Sequence, residues 1–483
     1  MPSRPAPSAD NLDAIPRQHR LAGLRLGLLY GPAIYGVSAA AVALPAAADA
    51  LHTTPIAAVW ILTAHALGLG VATATAGLLA DRYGTRHTLA AGAIMLTAGA
   101  TLCAVAPGLL VLVAGRLLLA AGSGAVTAAA MTTAAQLPDR ERPRALAVIG
   151  VTLACVSATA TLAGGLSNLL SWRLPLILPA AALLLVPFAL PLTRRRPIGD
   201  RPIGDRPVDL PGIAAVAAGA AGGLLLIQAY TLRLSPAVAA GVLVVTVAAA
   251  LVAVRRHRSQ KSAGVLDVVI GDAQLRAAAV VGAGVYGGMF AALYAVPHVL
   301  YRQHQYSAVD VGLLLLPGAA GAVVLARVGA RYVASLGAVR VLTIVATTFG
   351  LFLASAAIVP HPTVLVATVA VAFGAFSTTQ TVYTGLAGQR APRSRGSAIG
   401  VGNLAFFGGG AAGSALCSAL WQPVGLNHAL ALMSLLPTLG AVLAALSCRW
   451  REARSADQRL ASSTAGDGLR PSSGVSRRRG TAR

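Results

Sequence analysis

Long apolar runs separated by short polar breaks dominate the 483-residue chain, and almost none of them alternates with the period of two expected of a half-buried strand. A bilayer core about 30 Å thick needs about 20 helical residues at 1.5 Å each. Against breaks of charge, Pro and Gly, fourteen runs reach or approach that length. They lie near 23–48, 57–79, 87–106, 109–135, 144–170, 174–192, 210–232, 236–254, 276–300, 309–330, 338–358, 363–386, 396–421 and 426–447. The seventh and eighth are joined by a tight hairpin around Leu234, with Ser235 placed to cap the helix that Pro236 opens. The pattern predicts an all-α membrane protein.

The loops give an independent reading of orientation. Basic residues recur in every second break: Asp81–His87, Asp139–Arg144, Arg194–Arg206, Arg255–Lys261, Arg327–Arg340, Gln389–Arg395 and the tail from Arg449. Of 38 Lys and Arg, only Arg173, Arg233 and Arg302 fall in the other set, Arg116 alone sits at depth within a span, and the other 34 lie on the first side or at its helix ends. By the positive-inside rule this predicts a multi-pass protein of the plasma membrane with both termini cytoplasmic.

Composition sharpens the picture. The chain is 56% hydrophobic, 11% charged and carries +23, with a mean hydropathy of +0.72. Soluble domains carry about 25% charged residues, so a soluble globule, a disordered chain and a coiled coil are excluded. The positive balance follows from topology, and no aromatic interleaving supports a nucleic-acid partner. Cys103, Cys155, Cys417 and Cys448 lie in or beside apolar runs without metal-ligand spacing, so neither a metal nor another cofactor is implied. No phosphate-cradling loop with its lysine appears, which argues against ATP-driven pumping by this chain alone. An intramembrane enzyme would need a carboxylate pair, a metal set or an activated nucleophile at one depth, and none is found.

After the second span stands Gly77-Leu-Leu-Ala-Asp81-Arg82-Tyr-Gly84-Thr-Arg86. Gly77 permits close helix approach, Gly84 a tight reversal, and Asp81 can cap a helix N-terminus. The pattern resembles the loop signature of the major facilitator superfamily. Val42-Ala-Leu-Pro45, Gly164-Gly165, Ser171-Trp172-Arg173, Asp209-Leu-Pro-Gly212 and Leu316-Pro317-Gly318 resemble its fourteen-helix drug:proton antiporter branch. The resemblance implies two six-helix bundles, 23–192 and 276–447, around an extra hairpin at 210–254. Linkers at 193–209 and 255–275, an N-terminal tail at 1–22 and a disordered basic tail at 448–483 complete the organisation. It implies a monomer in the lipid bilayer, working by alternating access on a small-molecule solute, with protons an open question as coupling ion. It also implies that Gly77, Asp81, Arg82, Gly84 and Arg86 form a conformational gate, Asp81 latching near Arg395 to Ser397.

Departures from that branch bear on coupling. Gly36 stands where the first helix commonly has an aspartate, Ala41 replaces an asparagine, and Ala160-Thr161 replace Gly-Pro. Arg116 of the fourth helix is kept, but Leu119 and Ala120 follow it instead of Gln and Gly. None of the fifteen acids falls in the middle of a predicted span. Proton-coupled carriers usually hold a titratable carboxylate at depth, so coupling by protons is in doubt and a cationic substrate is disfavoured. Arg116 is expected to face a water-filled cavity and contact substrate. His65 is either a packing histidine or the one obvious intramembrane proton carrier. Tyr286, Phe290 and Tyr294 recur every four residues on one helical face, continued by His298, as either a packing or a cavity stripe. Gln380, Tyr383, Asn403, Tyr35 and Tyr30 are further cavity candidates. Efflux of a drug-like or secondary-metabolite solute is the first functional reading. The alternatives are a proton-independent facilitator, an importer of a neutral or anionic small molecule, and a non-transporting sensor.

Overall fold

The computed structural model describes residues 17–53, 55–58, 60–193, 210–229, 233–259, 267–316 and 318–446. The linker repeat around 196–206, the tail after 446 and most of the N-terminal tail lie outside them. Every described element is helical. We label them α1 (Arg17–Ala50), α2 (Trp60–Tyr83), α3 (Thr85–Val105), α4 (Leu109–Ala135), α5 (Arg142–Leu170), α6 (Leu174–Leu192) and α7 (Leu210–Ile227). There follow α8 (Pro236–Ser259), α9 (Ala273–His304), α10a (Ala308–Leu315), α10b (Gly318–Leu336), α11 (Ala338–Ile358), α12 (Pro362–Arg390), α13 (Arg395–Val424) and α14 (Leu426–Leu446). Twelve helices are long and apolar enough to cross a membrane among the described residues. The seventh and tenth expected spans stand apart from these: α7 is the shorter helix, and the tenth divides into α10a and α10b on either side of residue 317.

Proline chemistry explains one irregularity. Pro175, Pro179, Pro187 and Pro191 each remove a backbone donor, and α6 is a succession of short α and 3-10 turns over Leu174–Leu192.

Packing builds two groups. In the first, α1 lies along α5, and α4 packs on both α2 and α3. In the second, α9 lies along α13 and α12, while α11 packs on α12 and α14. The groups meet where α2 runs beside α13 and where α5 meets α10a, α10b and α12. The α2–α13 seam depends on missing side chains: a Cβ at Gly77 would collide with the Gly396 carbonyl, so the two backbones touch. Gly84, before α3, and Gly337, before α11, share one backbone conformation, φ/ψ 89°/154° and 82°/155°. Such positive φ suits glycine, and the equivalent turns follow the second helix of each group.

The hairpin is peripheral. α7 touches α2 and α13, while α8 packs chiefly on α7 and leaves most of its apolar surface outside the packed interior. Ser235 Oγ accepts from the Val238 N–H at 3.4 Å, and Pro236 is the first residue of α8. Outward-facing Val244, Val245 and Leu251 suit contact with lipid tails.

Candidate functional site

The candidate site begins at the end of α2. Asp81, two residues before the helix stops, reaches across the seam to the first turn of α13. Its Oδ1 accepts from the Gly396 N–H at 2.8 Å, and its Oδ2 accepts from the Ser397 N–H and Ser397 Oγ, each at 2.7 Å. A helix N-terminus offers unsatisfied N–H groups and partial positive charge, so a carboxylate from another helix is a fitting cap. Arg82 stacks over Tyr83, its guanidinium carbon 5.6 Å from the ring centre. Gly77 sets the close approach and Gly84 makes the turn into α3; Arg86 lies in the first turn of α3, half-buried.

The same face gathers other basic segments. Arg142 pairs with Asp139 at 2.9 Å, and Arg390 with Asp272 at 3.6 Å. Asp272 also caps α9 by accepting from the Gln274 and Leu275 N–H groups. Arg173, on the other hand, donates to the Ala106 carbonyl at 3.0 Å, and the His304 ring bonds to the Pro360 carbonyl at 2.9 Å.

Midway along the helices lies a polar seam between the two groups. Gln380 of α12 accepts through Oε1 from the Tyr286 hydroxyl of α9 at 2.7 Å and the Tyr30 hydroxyl of α1 at 3.4 Å. All three side chains are buried. Around Tyr286 stand the rings of Phe376, Phe406, Phe407 and Phe290, with centroids 4.9 to 6.3 Å away. The Gln380 Nε2 and both polar atoms of Asn403 are buried without a partner. Tyr383 donates to the Ala398 carbonyl at 2.9 Å and packs on Phe406. Buried unpartnered amides and hydroxyls cost about 1–3 kcal/mol each, so these groups suit a place where another molecule supplies the missing bonds.

The aromatic stripe of α9 faces α13 along its length. Phe290 contacts Phe407, while Tyr294 and His298 form a cluster with Trp421 at centroid distances of 5.0 to 5.9 Å. Tyr35 shares a hydrogen bond with Thr159 of α5 at 3.2 Å. Tyr30, a subsidiary candidate by sequence, holds the more central place.

Arg116 and His65 form a separate cluster within the first group. Arg116 has no exposed surface, and its guanidinium donates to three main-chain carbonyls: Ile61 of α2 at 3.2 Å, Leu176 of α6 at 2.6 Å, and Gly36 of α1. Its surroundings are therefore packed backbone, where open water was expected. His65 Nδ1 donates to the Arg116 carbonyl at 3.2 Å, leaving Nε2 buried without a partner. A side chain at position 36 would collide with the imidazole, so Gly36 is what admits His65 to this place.

Every described acid lies in a loop or within a turn of a helix end, Asp49, Asp81, Asp272 and Asp310 included. Among the described residues no three His, Cys, Asp or Glu side chains gather to hold a metal ion.

Comparison with known proteins settles the family. The model of the Major Facilitator Superfamily matches residues 26–414. The chain belongs to the major facilitator superfamily. The crystal structure of the human organic anion transporter MFSD10 (TETRAN) is similar in fold, with a TM-score of 0.61 at 15% sequence identity. The match covers 89% of this chain and 100% of that one. Members of this superfamily are membrane transporters of small-molecule solutes rather than enzymes, and the helices described above have the corresponding arrangement.

Proposed function

We propose that this superfamily member is a plasma-membrane secondary transporter that exports a drug-like or secondary-metabolite solute by alternating access, as a monomer with both termini cytoplasmic. The observation that carries this reading is the Tyr30–Gln380–Tyr286 junction, which ties α1 of one group to α9 and α12 of the other at mid-depth. Aromatic walls and a few unpartnered amides make a mostly apolar pocket with polar anchors. When the groups rock apart, Gln380 exchanges its tyrosine partners for the solute. Asn403, Phe290 and Tyr383 complete the pocket, with Tyr294 and Tyr35 toward its margins. Asp81 latches the arginine-rich side, supported by Gly77, Arg82, Gly84 and Arg86. Arg116 and His65 hold the first group together beside the path.

The test is compound accumulation in a sensitive host with and without the gene, using a panel of growth inhibitors. Wild type should lower accumulation of at least one compound, and Gln380→Ala should lose most of that effect while still reaching the membrane. A wild-type protein that changes the accumulation of no compound overturns the reading, as does a Gln380→Ala variant that works normally.

The placement of the acids favours a second reading on coupling. With no described carboxylate far from a helix end, transport proceeds without a proton gradient, and the solute is neutral or anionic. The similarity in fold to an organic anion transporter agrees with that choice. In proteoliposomes the initial rate should then be unchanged by a protonophore; its collapse would restore proton coupling and make His65 the group to examine.

A further inference from the structure

A cavity of about 940 Å³ opens on the arginine-rich side, lined by none of Tyr30, Tyr286 and Gln380. Its walls come from both groups of helices: the start of α5, the turn between α10b and α11, the end of α12 and the start of α13. Three arginines line it, Arg142 from the first group and Arg340 and Arg395 from the second, against the single acid Asp139. These residues stand at the ends of membrane-length helices, which is the level of lipid headgroups.

Arg142 is 6% exposed; its Nη2 donates to the Leu137 carbonyl at 3.0 Å and to Asp139 at 2.9 Å, while its Nε–H is buried with no acceptor. Asp139 itself is 91% exposed, so its neutralising effect is screened by solvent. Arg395 donates to the Gly388 carbonyl at 3.3 Å and lies within the field of Asp81. Arg340 is exposed at the rim. Deeper in the same cavity the wall turns apolar, with Leu146, Val382 and Leu386 buried.

We infer that this cavity binds an amphiphilic anion, its acidic head on Arg142 and Arg340 and its apolar body against Leu146, Val382 and Leu386. A carboxylate or phosphate head accepts charge-assisted bonds from guanidinium groups in fork geometry. A volume near the upper end of the usual 300–1,000 Å³ for small-molecule sites leaves room for a chain as well as a head. Two sources offer this chemistry, an acidic phospholipid of the bilayer and a free amphiphilic acid. Either occupant touches both groups of helices and ties them together on this side. The inference is independent of which solute crosses the membrane.

The experiment uses the full chain in neutral detergent, titrated with dodecyl phosphate, with inorganic phosphate at matched ionic strength beside it. Dodecyl phosphate should bind saturably, and Arg340→Gln should weaken it about tenfold, the worth of one charge-assisted bond. Arg142→Gln should do the same where it folds; exposed Arg340 serves where it does not. Arg140→Gln, on the same side but outside the cavity, should leave affinity unchanged. Native mass spectrometry from phosphatidylcholine nanodiscs doped with phosphatidylglycerol then names the source. Phosphatidylglycerol retained by wild type and lost by Arg340→Gln identifies a bilayer lipid, and saturable dodecyl phosphate binding without retention identifies a free acid. The inference is overturned if dodecyl phosphate does not saturate, if Arg340→Gln and Arg140→Gln bind alike, or if inorganic phosphate binds as tightly.

Discussion

Arg116 shows how much one side chain does when its partners are all backbone. Three helices, α1, α2 and α6, each lend it a carbonyl. Replacing it by leucine removes three bonds in a region closed to water, a cost of about 3 kcal/mol at roughly 1 kcal/mol per bond. Thermal unfolding of the detergent-solubilised variant should start several degrees lower. Arg116→Lys should recover only part of the loss, since an ammonium cannot span the same fork. Full recovery by lysine would mean that charge alone matters there. Gly36→Ala should be destabilising for a related reason: the added methyl displaces His65 from the space beside Arg116, and size-exclusion profiles after mild heating would reveal it.

At the scale of elements, the contrast is between α2–α13 and α7–α8. The first pair brings glycine backbones into contact and adds the Asp81 cap. The second is a hairpin whose outer helix faces away from the rest of the molecule. Bulk should therefore be tolerated in one place and not in the other. Val245→Leu on α8 should leave yield and transport within error of wild type. Gly77→Val should abolish the close approach and reduce transport at least tenfold, because a displacement of an ångström propagates along a rigid helix. Equal tolerance at both positions, measured by transport normalised to surface amount, would contradict the packing described. Within α6, four prolines replace a regular ladder with short turns, and hydropathy alone cannot register that difference.

For the whole molecule the decisive contacts are those that must break if the two groups of helices move. Asp81 supplies three on one side, and Gln380 with Tyr30 supplies one at mid-depth. Charge-assisted bonds in a part-buried place are worth about 2 kcal/mol together after screening. Asp81→Ala should then shift the balance between the two end states by roughly thirtyfold. A cysteine placed at Gly385, beside the basic cavity, should react faster with a charged thiol reagent in that background. Unchanged reactivity would show that the cap does not hold this side shut.

Much of this was legible in the chain before folding. Helix-forming stretches long enough for a bilayer follow from hydropathy, because lipid leaves the backbone no other way to satisfy its polar groups. The contact of Asp81 with the start of α13 was legible too, since Gly77, Asp81 and Gly84 are local in sequence and their partner could be placed near Ser397 by resemblance. The fate of Arg116 was not, because a deep arginine reads alike whether water or three carbonyls surround it, and those carbonyls come from residues 36, 61 and 176. Tyr30 meeting Gln380 across 350 positions, and Arg142 meeting Arg340 around one cavity, were equally beyond a linear reading. Sequence determined that the chain enters a membrane and which edge of it is basic, because those depend on runs of neighbouring residues. Tertiary structure alone decided which buried polar groups find partners within the chain, because that depends on the registry of helices far apart in the chain.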